Sequence, residues 1–340
     1  MKRLLIIGLL LWIPHQTYGH TWRVPSECPT LKTGCDSASS GDTTLVEPGI
    51  YRISGEPENW WLIGPGVAMV SEGGPEVTVL ELCNISVAVG IFEEGVRFSG
   101  FTVRQGYGPD CGVYYGETEG IWCTCTDVVV EDCIIEHFYH GIYMDAPSLN
   151  WWKPVFRNNI IRHCSFGIAI HDVLEPGRPY VESNTITECY RGVEIIDSSP
   201  MLADNVITGS TRDGLYYAGH CGGNCKRNVI ANNGEAGVLI FYADPPLAVP
   251  DFNGGLLPAD ANEFYGNGTY DIDYCYSHQG GVMAKWNWWG ADCPDLTGKF
   301  RGLVYYEPWT DATHTQRLDA EACEGATEPT TWGAIKSIYR

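Results

Sequence analysis

The sequence predicts an all-β solenoid, a parallel β-helix with coils of roughly 25 residues. Three observations lead there. The first is a recurring grammar. In "ESNTITECYRGVEIID" Asn184 precedes Ile186 by two places, and Gly192, Val193 and Ile195 follow. The same order runs from Asn159 (Ile161, Gly167, Ile168, Ile170), from Asn205 (Ile207, Gly214, Leu215, Tyr217) and from Asn228 (Ile230, Gly237, Val238, Ile240). In "EDCIIEHFYHGIYMD" Cys133 takes the Asn place. The second observation is the period. Phe101, Asn262 and Asn287 extend the anchors, which lie 21 to 34 residues apart, and a drifting period of this size marks a repeat architecture. The third is alternation. Each unit holds short runs such as Thr185-Ile186-Thr187 that read as half-buried strands, with no amphipathic helical run.

Stacking coils at the strand spacing of about 4.8 Å puts equivalent residues directly above one another. Asn159, Asn184, Asn205, Asn228, Asn262 and Asn287 are therefore expected to form a structural ladder, each amide bonding its neighbours. The Gly that follows each Asn is expected to turn the chain through positive φ.

The elements are then assigned in chain order. Residues 1–19 read as a signal peptide, with basic Lys2-Arg3 before "LLIIGLLLWI", a run too short to span a bilayer. Residues 20–40 form an N-terminal cap and 41–313 the β-helix, whose regular coils occupy roughly 96–290. Residues 291–313 are expected to cover its open end. Residues 314–340 are a linker and C-terminal tail ending in "WGAIKSIYR". No other apolar segment is long enough for a transmembrane span, and the signal peptide makes the expected location extracellular, cell-surface or periplasmic.

Net charge is −21, from 42 acidic and 21 basic residues, which argues against a nucleic-acid partner because phosphate binding needs a basic face. No Gly-rich phosphate loop joins a strand to a helix. Fourteen cysteines in an exported chain suggest disulfides. Cys164 and Cys189 each follow their Asn by five residues and should stack, as a disulfide or as paired thiols. Cys221 and Cys225 in "HCGGNC" are expected to close a small loop. Cys28 and Cys35 are placed on a short helix, too far apart along it to pair. Asn84-Ile85-Ser86 and Asn267-Gly268-Thr269 match glycan-acceptor triplets.

"SGDTTLVEPGIYR", "VSEGGPEVTVL", "SGFTVRQG", the Asn-x-Ile coils and "NWWGADCPD" together resemble the secreted β-helix repeat proteins grouped under carbohydrate-binding and sugar-hydrolase domains, the pectate-lyase-like family. The resemblance implies a right-handed parallel β-helix and a polysaccharide or cell-surface glycan as partner. Its members include enzymes and surface proteins without activity, so fold follows more firmly than function.

Sugar-cleaving members work on the outer face of one sheet. In each strand after the Gly, the second residue points outward, giving Tyr143, Ala169, Glu194, Tyr216 and Leu239. Tyr143, His171, Glu194 and Tyr216 are the expected ligand-binding residues, with Arg191 the nearest cation. Asp145, Asp172 and Asp197 are expected to share one acidic strip, the candidate for catalysis or for calcium. No other cofactor is expected. Asp is a favoured turn former, however, and the Asp-Asp, Arg-Ile-Lys and Gly-His-Gly signatures of the pectin-hydrolase branch are absent. The expectation is a non-catalytic carbohydrate-binding or surface protein. The alternatives are a polysaccharide lyase or glycoside hydrolase, and an adhesin or envelope scaffold.

Overall fold

The structure is a computed structural model that describes residues 19–54, 63–107, 111, 116–125, 127–145, 153–173, 178–242, 251–253, 258–275 and 281–324. All but Gly19 of the expected signal peptide, and the tail from 325 onward, lie outside these residues. No described helix is long and apolar enough to cross a membrane.

Among the described residues, the alternating runs form three parallel sheets of nine strands each. One coil contributes Val155–Arg157 to the first sheet, Ile160–Arg162 to the second and Phe166–His171 to the third. The next coil repeats this with Tyr180–Glu182, Thr185–Thr187 and Arg191–Ile196, in register. The chain is a right-handed parallel β-helix, as the repeat and the resemblance imply. Its core consists of inward columns. Ile135, Ile161, Ile186, Ile207 and Ile230 stack on successive rungs of the second sheet, all fully buried. Burying each such side chain contributes about 1.5–3 kcal/mol.

The asparagines lie at the bend between the first and second sheets. Asn184 Nδ2 donates to Phe156 O at 2.8 Å and to Asn205 Oδ1 at 3.0 Å, and Asn184 N donates to the same Oδ1 at 3.0 Å. The pattern repeats from Asn159 through Asn262. Asn287 ends the series by donating to Phe252 O and Ala284 O. All six are at most 1% exposed.

A second buried series lies at the bend between the second and third sheets. Cys164, Cys189, Ser210, Asn233 and Asn267 each follow their ladder residue by five. Ser210 N donates to Asn233 Oδ1 and Asn233 Nδ2 to Asn267 Oδ1, both at 3.1 Å. Asn267 is 2% exposed and its amide donates to Ile230 O and Asp271. It is therefore no glycan acceptor in the folded chain, whereas Asn84 is exposed.

Cys164 and Cys189 share this series as stacked thiols, not as a disulfide. Each donates to a carbonyl of its own coil, Arg162 O and Thr187 O. Cys221 and Cys225 are not bridged either. Gly222-Gly223 lead into the strand Asn224–Lys226, which turns Cys225 into the core beside the Tyr217 hydroxyl, while Cys221 bonds Ala218 O. The disulfides are Cys83–Cys111, which ties the excursion after Gln105 to the second sheet, and Cys293–Cys323.

The glycines at the repeated position also differ from expectation. Gly141, Gly167 and Gly192 do not have positive φ; that conformation belongs to Asn158, His163 and Asp172 and their equivalents at the three corners. The glycines are needed for close approach instead. A Cβ on Gly141 would lie 2.5 Å from Gly167 O and 2.8 Å from Ile161, and one on Gly167 would lie 2.5 Å from Gly192 O.

At the N-terminus the first sheet already begins at Thr21–Val24, within the expected cap. The helix Leu31–Ser37, capped by Thr30, buries Leu31 and Cys35 over the open end; Cys28 precedes this helix. At the other end Thr310 N donates to Asn287 O at 3.1 Å and Trp309 is 4% exposed. Residues 314–324, expected to start a linker, belong to the folded body. Arg317–Leu318 pairs with Trp309–Thr310, and Cys323 is bridged to Cys293.

Candidate functional site

The outer face of the third sheet carries the chemistry. Its outward column runs through Trp122, Tyr143, Ala169, Glu194, Tyr216, Leu239, Asp273 and Arg301, one residue per rung. Strand alternation alone puts these residues on one line. The second-residue rule therefore places Tyr143, Glu194 and Tyr216 together, and His171 joins them from the neighbouring column.

The expected acidic strip does not form as one row. Asp145 lies beside His171, and His171 beside Ile196. Asp172 and Asp197 sit one residue further on, at the corner, with φ of 56° and 47°. Asp197 is occupied locally, because its Oδ1 accepts His220 N at 2.7 Å and lies 3.2 Å from His220 Nδ1. Asp172 is exposed.

The organised cluster centres on Arg191. Its Nη1 lies 2.8 Å from Glu194 Oε2 and its Nε 3.3 Å from Asp213 Oδ2. The guanidinium carbon stands 3.6 Å from the centroid of the Tyr216 ring, a close cation–π contact. Glu194 Oε1 is 3.1 Å from His171 Nε2, so the carboxylate is held from both sides. Burial alone pushes the Glu194 carboxyl up, but the bonds from His171 and Arg191 outweigh it and hold the group below its ordinary value. Asp213 differs. Burial dominates over the attraction of Arg191 and Arg212 and raises its carboxyl, and its Oδ1 is buried without a hydrogen-bond partner. Two carboxyls sharing one arginine are thus displaced in opposite directions.

Aromatic rings extend the site on the N-terminal side. Tyr143 stacks on His140 at 4.8 Å, meets His171 edge-on at 5.3 Å and lies 6.4 Å from Trp122. Burial first, then the charges of Asp145 and Asp172, push the Tyr143 phenol up, so its hydroxyl remains a donor. On the C-terminal side a cavity of about 300 Å³ opens among Asp213, Leu239, Phe241, Tyr270, Asp273 and Arg301. Asp273 and Arg301 are paired there, with Nε 2.6 Å from Oδ1.

Asp213, Asp273 and Arg301 were not singled out from sequence. Asp213 directly precedes Gly214 as Arg191 precedes Gly192, so aligning the units on their glycines puts these opposite charges on adjacent rungs. That signal was present. Arg301 lies beyond the regular repeats, and its pairing with Asp273 has no such signal.

A family model described as "Right handed beta helix region" matches residues 153–249. No curated protein matches the chain. Among solved structures, the A-module of the mannuronan C-5 epimerase AlgE4 of Azotobacter vinelandii is similar at 14% identity. That match covers 84% of each chain, with a TM-score of 0.56. The pectate lyase Pel9A is similar at 10% identity over 83% of this chain and 74% of its own, with a TM-score of 0.54. The Dettilon tailspike protein is similar at 12% identity over 80% of this chain and 57% of its own, with a TM-score of 0.51. At these identities the likeness is one of fold.

Proposed function

This chain is a right-handed parallel β-helix protein of the pectate-lyase-like fold, and we propose that it is exported and binds a neutral polysaccharide without cleaving it. The polysaccharide lies along the outer face of the third sheet, over Trp122, Tyr143 and Tyr216. The observation that carries this reading is the state of the carboxyls. Hydrolysis needs one carboxyl kept protonated beside an ionised partner, both within reach of the sugar. The carboxyl raised by burial, Asp213, has a side chain only 1% exposed, and Glu194 is 8% exposed and held ionised by Arg191 and His171. Rings and fixed hydrogen-bonding groups remain for sugar faces and hydroxyls.

A neutral chain suits the site better than a uronate. Arg191, Arg212 and Arg301 are each engaged by a carboxylate. The carbohydrate-acting names of the similar structures and the two disulfides agree with an exported sugar-binding role. The opposed shifts of Glu194 and Asp213 favour a second reading, sugar cleavage with Asp213 as the acid.

One experiment separates the two. The protein is incubated with neutral and uronate polysaccharides, with and without calcium, and retention is scored apart from new reducing or unsaturated ends. We expect retention of a neutral polysaccharide, weakened about tenfold by Tyr143→Ala, a change worth about 1.4 kcal/mol. Asp172→Asn should retain wild-type affinity and stability within about 0.5 kcal/mol, since Asn tolerates its positive φ. New chain ends that disappear in a folded Asp213→Asn variant would establish cleavage instead. Failure to retain any of the polysaccharides would remove the binding reading.

A further inference from the structure

We infer that the corner between the second and third sheets holds a divalent transition-metal site made by His137, His163 and Glu188. This corner stands apart from the proposed sugar face, and the inference does not depend on that reading. Each of the three residues follows its ladder residue (Cys133, Asn159, Asn184) by four places, so they occupy the same corner of three successive coils. Their φ angles of 67°, 56° and 54° fix one backbone geometry, so a single column of side chains repeats at the strand spacing.

Two of the three donor groups are already close, and the third stacks against them. The imidazoles of His137 and His163 stack with centroids 5.2 Å apart and planes 11° from parallel. His163 Nε2 lies 3.2 Å from Glu188 Oε2. Two donors bound to one zinc at about 2.0–2.2 Å stand at much the same separation from each other. The ring nitrogens bind in the plane of the ring, so His137 must turn out of the stack for a second nitrogen to reach the same ion, and water completes the coordination. Two imidazoles and a carboxylate suit zinc, copper or nickel better than calcium or magnesium, which prefer oxygen alone.

The surroundings leave the column accessible. The His163 and Glu188 side chains are 42% and 63% exposed. Tyr107 lies edge-on against His137 at 5.9 Å and walls one side. The next corner residue is Gly209, which adds no side chain beyond Glu188. An ion pair between His163 and Glu188 accounts for only two of the three groups, and at the surface contributes little. A shared cation uses all three and sits in the field of a chain with net charge −21.

The test is calorimetric titration of the untagged protein with zinc chloride, alongside His137→Asn, His163→Asn and Glu188→Gln. Asn is chosen because it tolerates positive φ, and circular dichroism checks that each variant keeps its fold. We expect one zinc per chain, with affinity lowered about tenfold or more by His163→Asn. Smaller losses are expected for the other two. The inference is overturned if the wild type binds no zinc, or if the His137→Asn/His163→Asn double variant binds it undiminished. It is also overturned if His220→Asn alone abolishes binding.

Discussion

Asn205→Ala is expected to lower the free energy of unfolding by about 3 kcal/mol, near the upper end for a single substitution. The cost comes from the groups the change leaves behind. Asn205 Oδ1 accepts from Asn184 N and Asn184 Nδ2, both at 3.0 Å. Its Nδ2 donates to Val181 O at 2.8 Å and to Asn228 Oδ1 at 2.9 Å. Ala removes all four bonds at a position that is 0% exposed, where water cannot replace them. The damage falls on both neighbouring coils, because every rung is both donor and acceptor. Urea unfolding followed by circular dichroism measures the effect. A loss below about 0.5 kcal/mol would mean that the coils hold together without the ladder.

Arg191→Ala is expected to cost a similar amount, about 3 kcal/mol at neutral pH, and to do so with a pH dependence the Asn variant lacks. Arg191 is the cation common to Glu194 and Asp213, whose side chains are 8% and 1% exposed. Without it two buried carboxylates face each other with only His171 and Arg212 to compensate. In the wild type Glu194 is held below its ordinary value, so its stabilising contribution is present above the unfolded carboxylate pKa and lost as pH falls. Asp213 is raised, so its charged form weakens the fold as pH rises through the carboxylate range. Removing Arg191 shifts both groups upward. The folded variant then takes up protons more readily than the unfolded chain, and its deficit shrinks as pH falls toward about 4. Urea unfolding at neutral pH and at about pH 4 tests the sign. An equal deficit at both would mean that Arg191 acts through its packing on Tyr216 and not through charge.

Much of this architecture is legible from residue counting. A solenoid converts sequence offset directly into spatial neighbourhood, because each coil pairs in register with the next. The Asn ladder, the inward isoleucines and the stacking of Cys164 on Cys189 all follow from one five-element pattern. The separation of Asp145 from the other two aspartates is legible in the same way. Asp145 lies four residues after its Gly, whereas Asp172 and Asp197 lie five after theirs. That one-residue difference leaves Asp145 on its strand and puts Asp172 and Asp197 at the corner. The glycines are a different case. A position that requires positive φ and one that another backbone crowds both exclude a Cβ, so sequence alone cannot separate them. Coordinates assign Gly141, Gly167 and Gly192 to the second kind.

The sequence by itself determined the parallel coil, its register, the inward and outward faces and the buried amides, since all of these depend on spacing within a repeating unit. Only the tertiary structure decided which thiols join, how the ends are covered and what state the carboxyls hold. Cys83 meets Cys111, and Cys293 meets Cys323, across segments that leave the repeat, so no offset predicts them. The carboxyls are settled by distances across rungs and by burial. Asp213 and Glu194 share Arg191, yet desolvation prevails at one and hydrogen bonds prevail at the other. That balance depends on a few tenths of a nanometre, which spacing along a chain does not encode.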